Sequence, residues 1–380
     1  MKGLLVHNKA GGLDTKCVMK KPAKPFRYMS VTKNIVTILF LLLIVISACA
    51  AGAPLQSADN SSVSALKSGI RKMAGPYALK LADWEIENII TPVKESAHLD
   101  TGALVKHIES VLKEENMVVF PSVRVRITKP PLLLVVSPKD QILYLDRVML
   151  SSDLNDEQIE AVEKQVDELN LSSLVCEIGG FGAAYPAIVS PDLSIKHLVA
   201  AAVEEWAHQS LAFRPLGFLY LLDSLGFSQS PDIISMNETL AGMIADEIGG
   251  KVYTNYYQGA DRRIEAVITE PDFNFDREMK ETRKNVDLML GARRVKEAEQ
   301  YMESRRLLFI RHGYNIRKLN QAYFAFHGIY GRDPGAVNTF YDDMTRLRKS
   351  YTDFAGFVKD VSNMTRYEDL QSAVNRLPSK

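Results

Sequence analysis

Ile195–Leu211 reads IKHLVAAAVEEWAHQSL. Val199, Val203 and Trp206 recur at i, i+4 and i+7, the spacing of one helical face, and are expected in a core. Glu204 and His208 stand four apart and share a second face, with Glu205 beside it. A helix that carries two carboxylates and an imidazole next to a buried stripe anchors the rest of the chain. Upstream of it, Ser122–Thr128 (SVRVRIT) alternates as a strand, Leu132–Ser137 (LLLVVS) and Ile142–Leu150 (ILYLDRVML) are apolar runs, and Leu174–Glu177 and Ala187–Ser190 are short strands around Gly179-Gly180-Phe181-Gly182. Downstream, helical periodicity dominates. The expected fold is α+β: a small mixed sheet packed on this helix, followed by a helical C-terminal half.

Further elements follow from the same periodicities. Ala78, Leu79, Leu81, Ala82, Trp84, Ile86, Ile89 and Ile90 recur at helical spacing, as do Leu104, Ile108, Val111 and Leu112. Residues 155–169 form a charged helix, and Asn237–Tyr257 forms another. Residues 273–308 give a charged pair broken at Gly291, and residues 312–327, 336–350 and 352–375 give three more helices. Arg214-Pro215-Leu216-Gly217 reads as a turn after the central helix.

Lys plus Arg and Asp plus Glu each number 46, so the formal net charge is zero and the electrostatic footprint of a nucleic-acid binder is missing. Cys17, Cys49 and Cys176 have no CxxC spacing and form no disulfide framework. The N-terminus departs from the average. Ile35–Ala53 (IVTILFLLLIVISACAAGA) carries no charge and follows Lys20, Lys21, Lys24, Arg27 and Lys33, the order of an export signal or membrane anchor. Ile46-Ser47-Ala48-Cys49 resembles a bacterial lipobox, which makes Cys49 the candidate lipidation site. A plain anchor, or ordinary cleavage within Ala48–Ala53, remains the alternative. Met29 opens a conventional leader. Residues 1–53 are therefore expected to be a leader and 54–64 a polar spacer. Residues 65–260 would form the main domain and 261–380 a helical subdomain, held at the extracytoplasmic face of a cell membrane.

Glu204, Glu205 and His208 read EExxH. In zinc peptidases two histidines one turn apart bind the metal and the glutamate between them activates its water; here Glu204 stands in the first position. Alone, the pattern is weak, and a solvated charged face is its ordinary explanation. A second segment, Asn237-Glu238-Thr239-Leu240-Ala241, begins 29 residues after His208. Glu205–Tyr220 (EWAHQSLAFRPLGFLY), Asn237–Ala241 (NETLA) and Leu319–Gly328 (LNQAYFAFHG) together resemble a family of uncharacterised bacterial membrane-anchored proteins with a gluzincin-like, zinc-metallopeptidase core, over roughly residues 120–375. The resemblance implies a zincin-like domain and a metal site of Glu204, His208 and Glu238, taking Zn²⁺. It implies Glu205 as general base and His327 or Tyr323 as donor to the developing oxyanion, with a peptide or protein as substrate. By analogy, Ala187–Ser190 is the edge that pairs with an extended peptide. Two departures are linked: Glu204 replaces the first histidine, and Gly242 stands where a carboxylate orients that histidine. A non-catalytic zincin-fold lipoprotein, acting as an envelope binding or scaffold module, is the alternative reading. Ala241, Ala245 and Gly249 make a small-residue stripe suited to close helix packing. His197 reads as a surface or capping histidine.

Overall fold

The computed structural model describes residues 61–80, 99–224, 227, 230–259, 273–331, 333–336 and 339–378. The leader, Cys49, the first part of the spacer and the apolar residues 81–90 lie outside them. The chain is α+β, with two three-stranded sheets and a helical C-terminal half. Helix α1 spans Ser61–Ala74, so the last four residues of the expected spacer form its first turn. Gly75 and Pro76 end it. Ala78 and Leu79 do not start a helix as their spacing suggests. Ala78 bridges to Leu150, and the Leu79 N–H donates to the Met149 carbonyl at 2.9 Å. Helix α2, Thr101–Glu114, starts at Asp100, whose carboxylate accepts from Gly102 and Ala103 N–H.

The first sheet is antiparallel, ordered β3-β2-β4, with β2 at Leu132–Pro138, β3 at Asp146–Leu150 and β4 at Leu171–Glu177. Leu132, Leu134 and Val136 pack towards α1 and helix α3 (Asp156–Asp167), in a cluster with Ile70, Val162 and Val166. Leu133 and Val135 face the opposite way, onto Ala322. With both faces covered, β2 reads as an unbroken apolar run instead of an alternation. The second sheet is ordered β1-β6-β5. Strand β1 (Val125–Ile127) pairs parallel with β6 (Ala187–Val189), and β6 pairs antiparallel with β5 (Gly180–Phe181). The strand expected to be the free edge, Ala187–Ser190, is thus the central one, and β5 is the edge.

Helix α4 is Ile195–Leu211, and Val199, Val203 and Trp206 are buried as their spacing demands. The Trp206 Nε1–H donates to the Pro121 carbonyl at 2.9 Å. Arg214 to Gly217 is not simply a turn: Pro215 opens helix α5 (Pro215–Ser224), the position where a missing N–H costs nothing. Helix α6 begins at Pro231, six residues before the expected start, and runs to Ile244. Two π-helical turns, Ala245–Gly249 and Tyr253–Tyr257, carry the same rod on to Tyr257. Its small-residue stripe meets α4 closely, because a Cβ on Gly249 would lie 3.1 Å from the Ala200 Cα.

Helices α7 (Phe275–Gly291) and α8 (Val295–Arg311) form the charged pair broken after Gly291. Helix α9 is only Gln321–His327, capped by Asn320, so residues 312–320 are not helical. Residues 352–375 split into α11 (Phe354–Ser362) and α12 (Tyr367–Asn375), after α10 (Phe340–Arg348). The split falls where the Asp369 side chain accepts from the Thr365 N–H at 3.0 Å and starts a new helix. One core joins Leu104, Trp206, Leu240, Phe357 and Val374, crossing the expected division at residue 260. Among the described residues, no helix is long and apolar enough to cross a membrane.

Candidate metal centre

Helices α4 and α6 cross so closely that side chains from both reach one point. Glu204, His208 and Glu238 each bring a ligand atom there, all within 4.8 Å of one another. His208 Nε2 lies 3.4 Å from Glu238 Oε2. Two donors about 2.1 Å from a shared tetrahedral ion are separated by about 3.4 Å, so this pair already has the edge length of such a site. The one-turn spacing of Glu204 and His208 and the position of Glu238 therefore act as expected: the three residues are brought together and can hold a metal ion.

The surrounding groups fix the ligands. The Tyr220 hydroxyl on α5 donates to Glu238 Oε1 at 2.8 Å, leaving Oε2 for the shared point. The Asn237 amide lies 2.9 Å from His208 Nδ1, and Asn237 Oδ1 is otherwise a buried oxygen with no partner. Amide nitrogen and oxygen are interchangeable in such assignments. With the oxygen turned to the ring, the Nδ1–H donates to it and Nε2 faces the ligand point, the tautomer a metal ligand needs. The ligand tautomer thus calls for the turned amide.

The electrostatics are those of a charged, largely desolvated cluster. Burial opposes charge on His208, but Glu238 outweighs it and raises the imidazole to about 9. Burial also opposes ionisation of Glu238, yet His208, the Tyr220 hydrogen bond and Arg147 hold it below the usual carboxylate value. Arg147 sits on β3 opposite Val135, on the face that looks towards α9. Its guanidinium charge survives burial because Tyr144, Tyr220 and Glu238 surround it.

Glu205 lies beside the triad. Burial pushes its carboxyl up to about 8, against the pull of His208, and the Gly182 N–H bonds it. Strand β5 lies directly on this carboxylate. A Cβ at Gly180 would collide with Glu205 Oε1, and one at Gly182 would stand 2.7 Å from Oε2. Glycines 180 and 182 let the backbone approach the carboxylate. Gln209 secures the turn, its Nε2 donating to the carbonyls of Ala184 at 2.6 Å and Gly182 at 3.2 Å.

The two residues expected to donate to an oxyanion are engaged with each other and with Asp333. His327 Nδ1 is 2.7 Å from Asp333 Oδ2, and its ring packs on Tyr323 at 4.1 Å. Burial raises the Tyr323 phenol, helped by Asp333 and Cys176. Tyr330, one turn past α9, is the phenol raised by Glu238 and Glu204 in addition to burial. His197 is an exposed histidine of the first turn of α4, its Nδ1 2.9 Å from the Oγ of the capping residue Ser194.

Sequence spacing did not point to Arg147, Tyr220, Asn237 or Tyr330. Two signals were present: a cation inside the apolar run ILYLDRVML, and an amide adjoining Glu238 in NETLA. Comparison with protein-family models, with curated proteins and with solved structures gave no match.

Proposed function

We propose that the chain is a membrane-tethered, extracytoplasmic metallopeptidase of zincin-like architecture, with Zn²⁺ held by Glu204, His208 and Glu238. The observation that carries this reading is the convergence of those three side chains beside Glu205. When bound, the ion would supply a Lewis acid that polarises the scissile carbonyl and acidifies water. The protein's own groups do the rest. Glu205 takes a proton from water and passes it to the leaving amine, a role suited to a carboxyl poised near 8. Tyr330, whose phenol is raised by both Glu238 and Glu204, is the proposed donor for the developing oxyanion, in place of Tyr323 or His327. An extended peptide is proposed to run beside Glu205, along the backbone of β5 that lies against that carboxylate. Arg147 offsets part of the charge of a ligand set with two carboxylates. The tether is the apolar segment Ile35–Ala53, with Cys49 as lipid attachment point.

Metal analysis and peptide hydrolysis test the reading together. Zinc at about one ion per chain is expected. Glu205→Gln should keep that zinc, and a melting temperature no lower than wild type, while peptide hydrolysis falls by about 100-fold or more. A Glu205→Gln protein as active as wild type would refute the assigned chemistry.

A second reading rests on a different observation. Tyr220, Glu238, His208 and Asn237 contact one another in a chain that closes without an ion. On that reading the chain is a non-catalytic envelope protein using the same frame to bind or scaffold, and purified protein would hold no stoichiometric metal.

A further inference from the structure

Helix α5 has an unusual balance. Its sequence PLGFLYLLDS contains one charged residue, Asp223, yet only Leu216 and Gly217 are buried. Phe218 is 50% exposed, and Phe213, Phe120 and Val118 are exposed with it. Phe213 and Phe120 are in edge-to-face contact at 4.9 Å, joining the start of α5 to the segment before β1. Exposed Arg214 lies among them. An aromatic surface with a cation at its margin is costly in water and suits the boundary between acyl chains and headgroups, where the arginine reaches a phosphate.

The proposed lipid attachment point, Cys49, lies twelve residues before α1. Twelve residues span at most about 42 Å, so a chain anchored there keeps its folded part close to the bilayer. We infer that the Val118–Phe120–Phe213–Phe218 surface is the face that rests on the lipid bilayer. This rests on the tethering part of the proposed function and not on its metal chemistry. The tether supplies proximity and the aromatic surface supplies orientation. Because α5 presents Phe218 outward and Tyr220 to Glu238, the candidate metal centre then lies one helix above the membrane surface.

Site-specific photocrosslinking of the full chain tests this. A benzophenone side chain replaces Phe213 or Phe218, and in parallel Leu307 on α8, which is 48% exposed. Each protein is mixed with vesicles of equal parts phosphatidylcholine and phosphatidylglycerol, floated, irradiated and analysed for adducts; circular dichroism confirms the fold. Lipid adducts at 213 and 218 with none at 307 are expected. Vesicle-bound protein without lipid adducts at 213 and 218 overturns the inference while leaving the tether standing. So do adducts to protein, which would mean a second copy or another segment of the chain covers the surface. Equal lipid labelling at 307 overturns it too, since the contact is then not oriented. Failure of the wild-type chain to float removes the tether and the inference together.

Discussion

Glu205 and His208 both bind their protons more tightly than in an unfolded chain. Glu205 is pushed up to about 8 by burial, and His208 is raised to about 9 by Glu238 against the effect of burial. A group whose folded value is raised contributes stability that is complete below its unfolded value and is lost as pH rises through the folded one. With unfolded values of about 4.3 and 6.5, the losses run from about 4.3 to 8 for Glu205 and from about 6.5 to 9 for His208. Metal-free protein is predicted to melt at progressively lower temperature between about pH 6 and pH 9, and Glu205→Gln should flatten the earlier part of that fall. Calorimetry in the presence of a chelator measures it; a melting temperature that is constant or rises over that range would contradict the assigned ion pair. At this scale the spacing of Glu204, Glu205, His208 and Glu238 was legible because helix geometry converts i, i+4 into one face. Asn237 and Tyr220 were not, because their roles depend on which helix lies opposite.

Among the elements, the crossing of α4 and α6 sets the site. Gly249 permits it: a Cβ there would meet the Ala200 Cα, which is backbone and cannot give way. Gly249→Val should cost about 1–3 kcal/mol and weaken metal binding as the helices part. Urea unfolding would show a lower midpoint with an unchanged slope; an unaltered midpoint would mean that the helices do not need the glycine. The α4 helix was read to its ends from periodicity, and the stripe Ala241, Ala245 and Gly249 was read correctly as a packing surface. The edge strand was not. Ala187–Ser190 has the apolar character of a strand, but the sequence of one strand does not say how many neighbours it has, and β1 and β5 take both of its sides. The same blindness applies to β5, where glycines chosen for close approach to Glu205 look like any glycine-rich turn.

Across the whole molecule, the sheet half and the helical half are tied by buried charge. Glu163 on α3 accepts from the Val175 N–H, from the two terminal guanidinium nitrogens of Arg317 and from Lys318. Burial works against its ionisation, but Arg317 and Lys318 hold it below the usual glutamate value. Its contribution to stability is therefore present above the unfolded value and lost as pH falls through the folded one. Glu163→Gln should lower stability at neutral pH by about 2–3 kcal/mol and make the remaining stability less sensitive to acid. Chemical denaturation at neutral and acidic pH compares the two; an identical loss at both would show that the charge is not what matters. The α+β class and the helical second half were legible as a change of period along the chain. Helices α10 to α12 return to the core built by α4 and α6, a long-range closure that no local window contains.

The central claim is that Glu204, His208 and Glu238 converge to bind one metal ion. Equilibrium zinc titration of the purified chain, followed by elemental analysis, measures this directly. About one tightly bound ion per chain is predicted, lost in both His208→Ala and Glu238→Ala. Wild-type protein that takes up no zinc, or zinc binding that survives both substitutions, would contradict it.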